Sequence, residues 1–508
     1  MSELRFPLAM TIAFLAAGCA IQPRPQTTSV PVPSSFVSTA AAWDTVSGTD
    51  RPAPVAHAPA GPAANVADTP TVPPDRLVGT TTTPLPAFWT ELADPTLREL
   101  IDEALRANLD LRAAEARVRE AAASRELAAY DYFPTVTASS GYTRQRFSGA
   151  SFPGFSGSEE LDLYQAGVDA SWEIDLFGRI RRNVAGQSAL ERAAVEDVRD
   201  VEVLLVSEVG RTYYELRGAQ EQLVVAERNA ENQRRTLRLT EDRLEGGTGT
   251  AFDTERARAQ LSATLATIPE LETRIAGAIF RIGVLLGRPA EPLLEALATP
   301  AESPELPETP QDVTPELLVR QRPDIRGAER RLAAETAFVG AAQADYLPRL
   351  TIGGSAGYTS STFDAIGDSE ASRFLVGPTL SWPLFDLGRV RARVSTAQAR
   401  AIEARADYDQ AVLRALEEAE TALVAYDRSR ERLTHLSDAA GASERAAELA
   451  RLRFDEGVTD FLQVLDAERT MLEAQDRLAQ GRTNAVNAFV ELYRSLGGLW
   501  PLEESSEP

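Results

Sequence analysis

The residue types that most often carry catalysis are scarce in this chain of 508 residues. Cys19 is the only cysteine, His57 and His435 are the only histidines, and lysine does not occur, so all 52 basic residues are arginines. One cysteine excludes disulfides within the chain, paired-cysteine redox chemistry and cysteine-based zinc sites. Without lysine there is neither a Schiff base nor a P-loop lysine. A Ser-His-Asp triad would need His435, because His57 lies in a stretch rich in proline and alanine. We therefore expect no enzyme, no cofactor and no metal site.

The formal charge of −23, from 52 basic and 75 acidic side chains, limits the possible partners. Binding to nucleic acid by bulk charge depends on basic side chains that displace the counterions of the phosphates. We therefore expect no nucleic-acid partner. Acidic side chains are abundant but have no fixed spacing, so a hydrolase of cell-wall material, which needs two placed carboxylates, stays an alternative.

Cys19 directly follows an amino-terminal apolar run. Arg5 precedes this run, which has about a dozen residues and is shorter than the ~20 that a membrane-spanning helix needs, so it is typical of an export signal. The residues Ala16-Ala17-Gly18 before Cys19 resemble a bacterial lipoprotein cleavage box. We predict a signal peptide over 1–18 and acyl chains on Cys19 that tether the protein to a membrane. An ordinary signal peptide with an incidental cysteine is the alternative. Residues 19–86, rich in Pro, Ala and Thr, are predicted to form an unpacked tether.

The remainder of the chain contains an internal repeat. Pro134 and Pro348 match at an offset of 214 positions, whereas Trp172 and Trp382, like Gly247 and Gly457, match at an offset of 210. The repeat divides the chain into parts whose predicted limits follow: repeat 1 over 87–288, a Pro-rich inter-repeat equatorial segment over 289–315, repeat 2 over 316–498, and a carboxy-terminal tail over 499–508.

Each repeat is predicted to contain a helix, two strands and two further helices. The segment 179–245 has no proline, so as a helix it would be roughly 100 Å long, and its apolar and small residues alternate in steps of four and three, as in a coiled coil. The predicted helices cover 94–130, 179–245 and 251–286, then 316–345, 388–456 and 460–496. Alternation of apolar and polar residues predicts strands over 134–146, 162–176, 349–361 and 372–385.

Four strands with one apolar face are too few to close a barrel, and an open sheet edge cannot face lipid because its backbone groups would stay unpaired. Several copies of the chain must therefore share their strands. A periplasmic coiled-coil scaffold without a pore would not need the strands beside Trp172 and Trp382, although the helical seams alone also fit a soluble bundle.

Several motifs together resemble the TolC/OprM family of outer-membrane efflux channels, and most of all its lipid-anchored OprM branch. The resemblance runs from about Phe88 to Gly498. The motifs that carry it are Phe88-Trp89, Asp131-Tyr132-Phe133-Pro134, Trp172 to Arg182, Arg322-Pro323-Asp324-Ile325, Asp345-Tyr346-Leu347-Pro348 and Trp382 to Arg393.

The resemblance implies a fold that is mainly α with membrane β. It implies a homotrimer with a twelve-stranded β-barrel, four strands from each chain, in the outer membrane of a Gram-negative bacterium. A long α-helical coiled-coil barrel would continue this through the periplasm to a membrane-fusion adaptor and an inner-membrane pump of the RND type. The implied function is passive export of drugs, toxic compounds or metal ions. The exit channel of a type I protein secretion system is the alternative.

The resemblance also implies two sets of functional residues. The hairpin tips Gly246, Gly247, Gly457 and Val458 would contact the adaptor, and Leu462 with Asp466 would form the periplasmic gate. Leu462 and Asp466 are four residues apart and therefore share one helix face, and a threefold axis would gather three Asp466 carboxylates into a ring that favours cations. In the alternative reading, Asp466 is a solvated acid paired with Arg469.

Overall fold

The computed structural model describes residues 30–36, 94–146, 160–301, 304–309 and 314–499. The predicted signal peptide, Cys19, His57 and most of the predicted tether and tail lie outside the described residues. Within the tether, Phe36 is 2% exposed. This short stretch is therefore packed against the protein, which corrects the prediction of an unpacked tether at that point.

The described chain is mainly helical, with one four-stranded sheet. The first half contains α1 (Pro95–Ala107), α2 (Leu109–Tyr130), β1 (Thr135–Arg146), β2 (Glu160–Ile174), α3 (Arg179–Glu245), α4 (Ala251–Leu285) and α5 (Glu291–Ala296). The second half contains α6 (Pro315–Gln321), α7 (Pro323–Ala344), β3 (Arg349–Ser360), β4 (Ser372–Ser381), α8 (Leu387–Asp455) and α9 (Phe461–Ser495).

Two of the predicted helices are each broken into a pair. The helix predicted over 94–130 breaks at Asn108, whose Oδ1 accepts a hydrogen bond from Leu111 N (2.9 Å) and so caps α2. Its Nδ2 donates to the carbonyl of Leu285 (2.9 Å), which holds the break in place. The helix predicted over 316–345 breaks at Arg322, because the residue before a proline is driven to an extended conformation.

The chain divides into two compact units. The strand unit comprises the described parts of Arg117–Val195 and Gly327–Gln410, and the helical unit comprises the described parts of Val30–Ala116, Glu196–Arg326 and Ala411–Pro508.

The strand unit contains an antiparallel sheet in the order β1-β2-β3-β4. Thr135 pairs with Ser171, Tyr164 with Ser360, and Arg349 with Ser381, so even-numbered residues lie on one face of the sheet and odd-numbered residues on the other. Among the residues that the structure describes, β1 and β4 each have one edge without a partner strand. The prediction placed the end of the last strand at 385, but β4 ends at Ser381, just before Trp382 and Pro383.

The two faces of the sheet differ in chemistry. The even-numbered face exposes large apolar side chains along its length: Val136, Tyr142, Val168, Trp172, Ile352, Tyr358, Phe374, Val376 and Leu380. The odd-numbered face consists mostly of Ser, Thr and Gly, with Leu161 and Leu375 as its exposed large apolar residues. A face of this kind exposed along all four strands is typical of a surface that contacts lipid.

The helical unit is held by a buried arginine beside the α6–α7 break. The Arg322 guanidinium binds both carboxylate oxygens of Asp324 (3.0 and 2.8 Å), the carboxylate of Glu418 in α8 (2.8 Å) and the carbonyl of Ser495 at the end of α9 (2.8 Å). Four elements therefore meet at one side chain. Within the part of the chain that the structure describes, no helix is both long and apolar enough to cross a membrane.

Asp200 of α3 lies beside this arginine. Its pKa is raised to about 6, chiefly by burial and next by the charge of Asp324, while the charge of Arg322 opposes the shift. Because the pKa in the folded protein exceeds the value of about 3.9 expected for unfolded Asp, the native state binds the proton more tightly. The stability that Asp200 contributes is complete below about pH 4 and is lost as the pH rises through about 6.

We therefore expect Asp200→Asn to raise the unfolding midpoint relative to the parent protein at pH 7.5 and to change it little at pH 4.5. Chemical unfolding followed by circular dichroism in detergent measures both values. Glu227→Gln, which neutralises an exposed acid on the same helix, is the control. An equal effect of Asp200→Asn at the two pH values would contradict the prediction.

Candidate functional site

The two helical hairpins of the helical unit end in turns of the same kind. At the end of α3, the amides of Thr248 and Gly249 both donate to the carbonyl of Arg243 (2.9 Å each). Gly247 has φ +70°, a left-handed conformation that glycine adopts without a steric penalty. Thr250 then caps α4 by accepting a hydrogen bond from Asp253 N (3.2 Å). This is the turn predicted at Gly246 and Gly247.

The second turn joins α8 to α9. Val458 N donates to the carbonyl of Arg453 (2.8 Å), Gly457 has φ +74°, and Asp460 caps α9 by accepting from Gln463 N (3.2 Å). The side chain of Val458 is exposed. Each predicted tip residue therefore lies in a tight, exposed turn between two helices.

An apolar cluster packs the two hairpins together next to these turns. Its buried members are Ala257 of α4, Phe454 of α8, and Phe461, Val464 and Leu465 of α9. The guanidinium of Arg243, at the end of α3, lies 4.0 Å from the centre of the Phe454 ring. This cation–π contact adds a second connection between the first and second hairpins.

A buried carboxylate makes a further connection between the hairpins. Glu468 of α9 is 3% exposed, and its Oε1 accepts from Arg451 Nε in α8 (2.8 Å) and from Thr236 Oγ1 in α3 (3.4 Å). Glu468 Oε2 and Arg451 Nη2 are buried without hydrogen-bond partners among the described residues. A buried ion pair with unmade hydrogen bonds contributes little net stability, but removal of one partner is costly.

The predicted gate residues lie on the opposite face of α9. Leu462 is exposed, and the side chain of Asp466 is 71% exposed with its Oδ1 2.8 Å from Arg469 Nη2. The structure therefore places Leu462 and Asp466 together on one face, and it also contains the Asp466–Arg469 pair considered as the alternative. Because both side chains are exposed, the packing of the chain leaves them accessible to another copy or to solvent.

Glu468, Arg451 and Arg243 were not among the functional residues predicted from the sequence. A signal for Glu468 was present: it follows Phe461, Val464 and Leu465 at the spacing of the buried face, where an acid is out of place. The stacking of Arg243 on Phe454 joins residues more than 200 positions apart and has no local signal.

Long helical hairpins and an exposed apolar sheet face are features typical of a subunit of an outer-membrane channel. The sequence matches the outer membrane efflux protein family over residues 100–288 and 314–498. The chain therefore belongs to the outer membrane efflux protein family.

Relatives support the same assignment over most of the chain. The chain is 34% identical over 421 residues to the pyoverdine export outer membrane protein OpmQ of Pseudomonas aeruginosa, which covers 81% of this chain and 87% of that protein. It is 31% identical over 425 residues to the toluene efflux pump outer membrane protein TtgI of Pseudomonas putida, with 83% and 89% covered. Among solved structures, the outer-membrane channel OprN matches with a TM-score of 0.78 at 41% identity, over 87% of this chain and 99% of that chain.

These comparisons confirm the predicted efflux function and the predicted location in the outer membrane. They favour efflux over the exit channel of a protein secretion system, and the family is one of channels rather than enzymes. The mainly helical fold is confirmed by the structure. The lipid anchor at Cys19, the gate and the tip contacts remain predictions.

The buried ion pair between Arg451 and Glu468 leads to a prediction about stability. Arg451→Ala would leave the Glu468 carboxylate buried without its cation, and because Arg451 is partly exposed we expect a loss of ~2–3 kcal/mol in the free energy of unfolding. The double variant Arg451→Leu with Glu468→Leu should recover most of this loss, because it removes the unpaired charge as well. Chemical unfolding followed by circular dichroism tests both variants, and a double variant less stable than Arg451→Ala would contradict the interpretation.

Proposed function

We propose that three copies of the chain form one passive export duct. Their twelve strands would close a barrel in the outer membrane, and their long helices would form a tunnel on the periplasmic side. The observation that carries this proposal is the sheet itself, which has, in the described part of the chain, two edges without a partner strand and an apolar face exposed along all four strands. The apolar face favours hydrocarbon, whereas the unpaired edges of a single chain cannot face it, and both requirements are met when copies are joined edge to edge.

The duct would work without catalytic residues, since a partner in the inner membrane supplies the energy. We propose a periplasmic membrane-fusion adaptor and an RND-type pump as partners. The exposed turns at Gly246, Gly247, Gly457 and Val458 would be the contact points for the adaptor, because they lie at the ends of both hairpins. Relatives named for pyoverdine export and toluene efflux support small organic molecules as the exported class.

The lipid anchor would fix each chain to the membrane through Cys19. The position of Cys19 behind a short apolar run and three small residues supports this. Palmitate label that persists in a Cys19→Ala chain would rule the anchor out.

We propose that Leu462 and Asp466 narrow the periplasmic end of the duct. Both are exposed on one face of α9, away from the apolar cluster that joins the hairpins. Around a threefold axis, the three Leu462 side chains would obstruct the opening sterically. The three Asp466 carboxylates, each shared with Arg469, would attract cations and resist anions.

Single-channel recording in a planar bilayer tests the duct and its gate together. We expect the parent protein to conduct, Leu462→Ala to increase the conductance by relieving the constriction, and Asp466→Asn to reduce the preference for cations over anions. Asp476→Asn, which removes an equal charge elsewhere on α9, is the matched control and should change neither quantity. Unchanged conductance and ion preference in both gate variants would remove these residues from the gate, and a parent protein that forms no channels would refute the duct.

A further inference from the structure

A polar cavity lies between three helices of the helical unit, α3, α4 and α9. This three-helix cavity has a volume of about 490 Å³, which is within the range typical of pockets for small molecules. Ala226 of α3 and Leu271 of α4 contribute buried apolar surface to its walls. The remaining lining residues are mostly amide, hydroxyl and charged side chains, so the cavity suits a ligand with both an apolar and a polar part.

Pro269 explains why there is space at this place. It lies inside α4, within the stretch 260–274 that lines the cavity. A proline inside a helix removes one backbone hydrogen bond and bends the helix, so α4 cannot pack evenly against its neighbours here. Ala479 occupies the matching position of α9, at an offset of 210, and is 2% exposed, as expected of a helix without this interruption.

An amide in the wall of the cavity has no hydrogen-bond partner. Asn229 of α3 is 4% exposed, and its Oδ1 accepts no hydrogen bond within the part of the chain that the structure describes. Gln222, which is equally buried in the same wall, accepts a hydrogen bond from Arg274 Nη1 (2.9 Å). Buried polar groups are almost always paired, so the free acceptor of Asn229 points to a donor on a molecule that enters the cavity.

The two arginines that line the cavity are already engaged. Arg274 donates to Gln222, and Arg469 pairs with Asp466 (2.8 Å), which is not among the lining residues. Their positive charges are therefore held by groups of the protein and offer little to an anionic ligand.

The carboxylates that line the cavity are less engaged. Glu270 of α4 has no ion pair among the described residues, and Glu473 of α9 has only Arg477 at 3.6 Å, where both side chains are more than half exposed. An exposed pair of this length is weak. A third carboxylate, Asp476, already accepts a hydrogen bond from Gln480 (2.8 Å). Glu270 and Glu473 thus leave negative charge available to a ligand.

We infer that the three-helix cavity binds an organic cation that carries an N–H donor and an apolar body. The apolar body packs against Ala226 and Leu271, and the positive charge lies near Glu270 and Glu473. The N–H group donates to Oδ1 of Asn229, which supplies the partner that this buried amide lacks. A protonated aromatic or alicyclic amine has all three features.

The cavity lies on the same side of α9 as the proposed gate. Leu462, Asp466, Arg469 and Glu473 follow one another in steps of four, three and four residues, which keeps them on one helix face. Glu473 is seven residues beyond Asp466, or ~10 Å further from the hairpin turn. The placement of the cavity on the inner wall of the duct rests on the proposed function, whereas the binding itself does not.

Binding of proflavine tests the inference. This dye is a planar monocation at neutral pH with two amino groups, so it carries the charge, the donors and the apolar body together. The full-length protein is placed in nanodiscs of phosphatidylcholine, which has no net charge, at about 0.15 M salt to screen the acidic surface. Fluorescence anisotropy should show saturable binding of one proflavine for each chain.

Single substitutions assign the binding to the cavity. We expect Glu270→Gln and Glu473→Gln each to weaken proflavine binding roughly fivefold. Glu272→Gln is the matched control, because it removes the same charge two residues along α4 from a residue that does not line the cavity, and it should leave the affinity unchanged.

A second dye isolates the role of Asn229. Asn229→Leu, which has nearly the same volume, should weaken proflavine binding roughly fivefold without lowering the midpoint of chemical unfolding, because it also removes the unpartnered amide. Acridine orange has the same ring and charge, but its amino groups are dimethylated and cannot donate. It should bind the parent protein more weakly than proflavine and lose little affinity in Asn229→Leu.

The outcomes separate the site from the duct. Equal losses in Glu270→Gln and Glu272→Gln would show attraction by bulk charge alone and would overturn the site. Full affinity in all three cavity variants, or tighter binding of the anionic dye fluorescein than of proflavine, would overturn it as well. A protein that conducts but binds no proflavine would refute the site and leave the duct standing. Binding with the expected variant effects in a protein that forms no channels would support the site and refute the duct.

Discussion

The pairing of backbone hydrogen bonds at the two free sheet edges is the constraint on which the rest of the structure depends. Each of β1 and β4 has one edge whose N–H and C=O groups meet no partner strand among the described residues, and an unpaired group in hydrocarbon costs several kcal/mol. The apolar even-numbered face requires lipid, whereas the free edges exclude it. Edge-to-edge assembly of copies satisfies both requirements, and it explains how four strands can serve a membrane protein.

The helical unit is stabilised by packing between helices rather than by pairing of strands. Long helices free of proline, such as α3, pack through small residues, and tight glycine turns end both hairpins. The apolar cluster, the Arg243–Phe454 contact and the buried Glu468 hold the two hairpins together near these turns. The gate candidates Leu462 and Asp466 lie outside this packing, where movement of a hairpin would displace them without breaking the fold.

Much of this architecture could be predicted because its signals are local. Absence of proline predicted α3, alternation of apolar residues predicted the four strands and their faces, and Gly247 and Gly457 predicted the turns. The helix break at Asn108 was missed because it depends on a distant partner, the carbonyl of Leu285. The break at Arg322 has a local signal in Pro323, which the helix predicted over 316–345 did not take into account. Phe36 was taken as part of a tether because burial of one side chain in a Pro-rich stretch depends on a surface that sequence pattern does not reveal.

The central claim is that the edges of β1 and β4 are paired in the assembled protein. Amide hydrogen exchange, measured by mass spectrometry on the protein in lipid nanodiscs, tests this most directly because exchange reports whether backbone N–H groups are held in stable hydrogen bonds. The account predicts that amides of β1 and β4 exchange as slowly as those of β2 and β3, with Pro378 and Pro383 marking gaps. Rapid exchange along β1 and β4 beside slow exchange in β2 and β3 would contradict it.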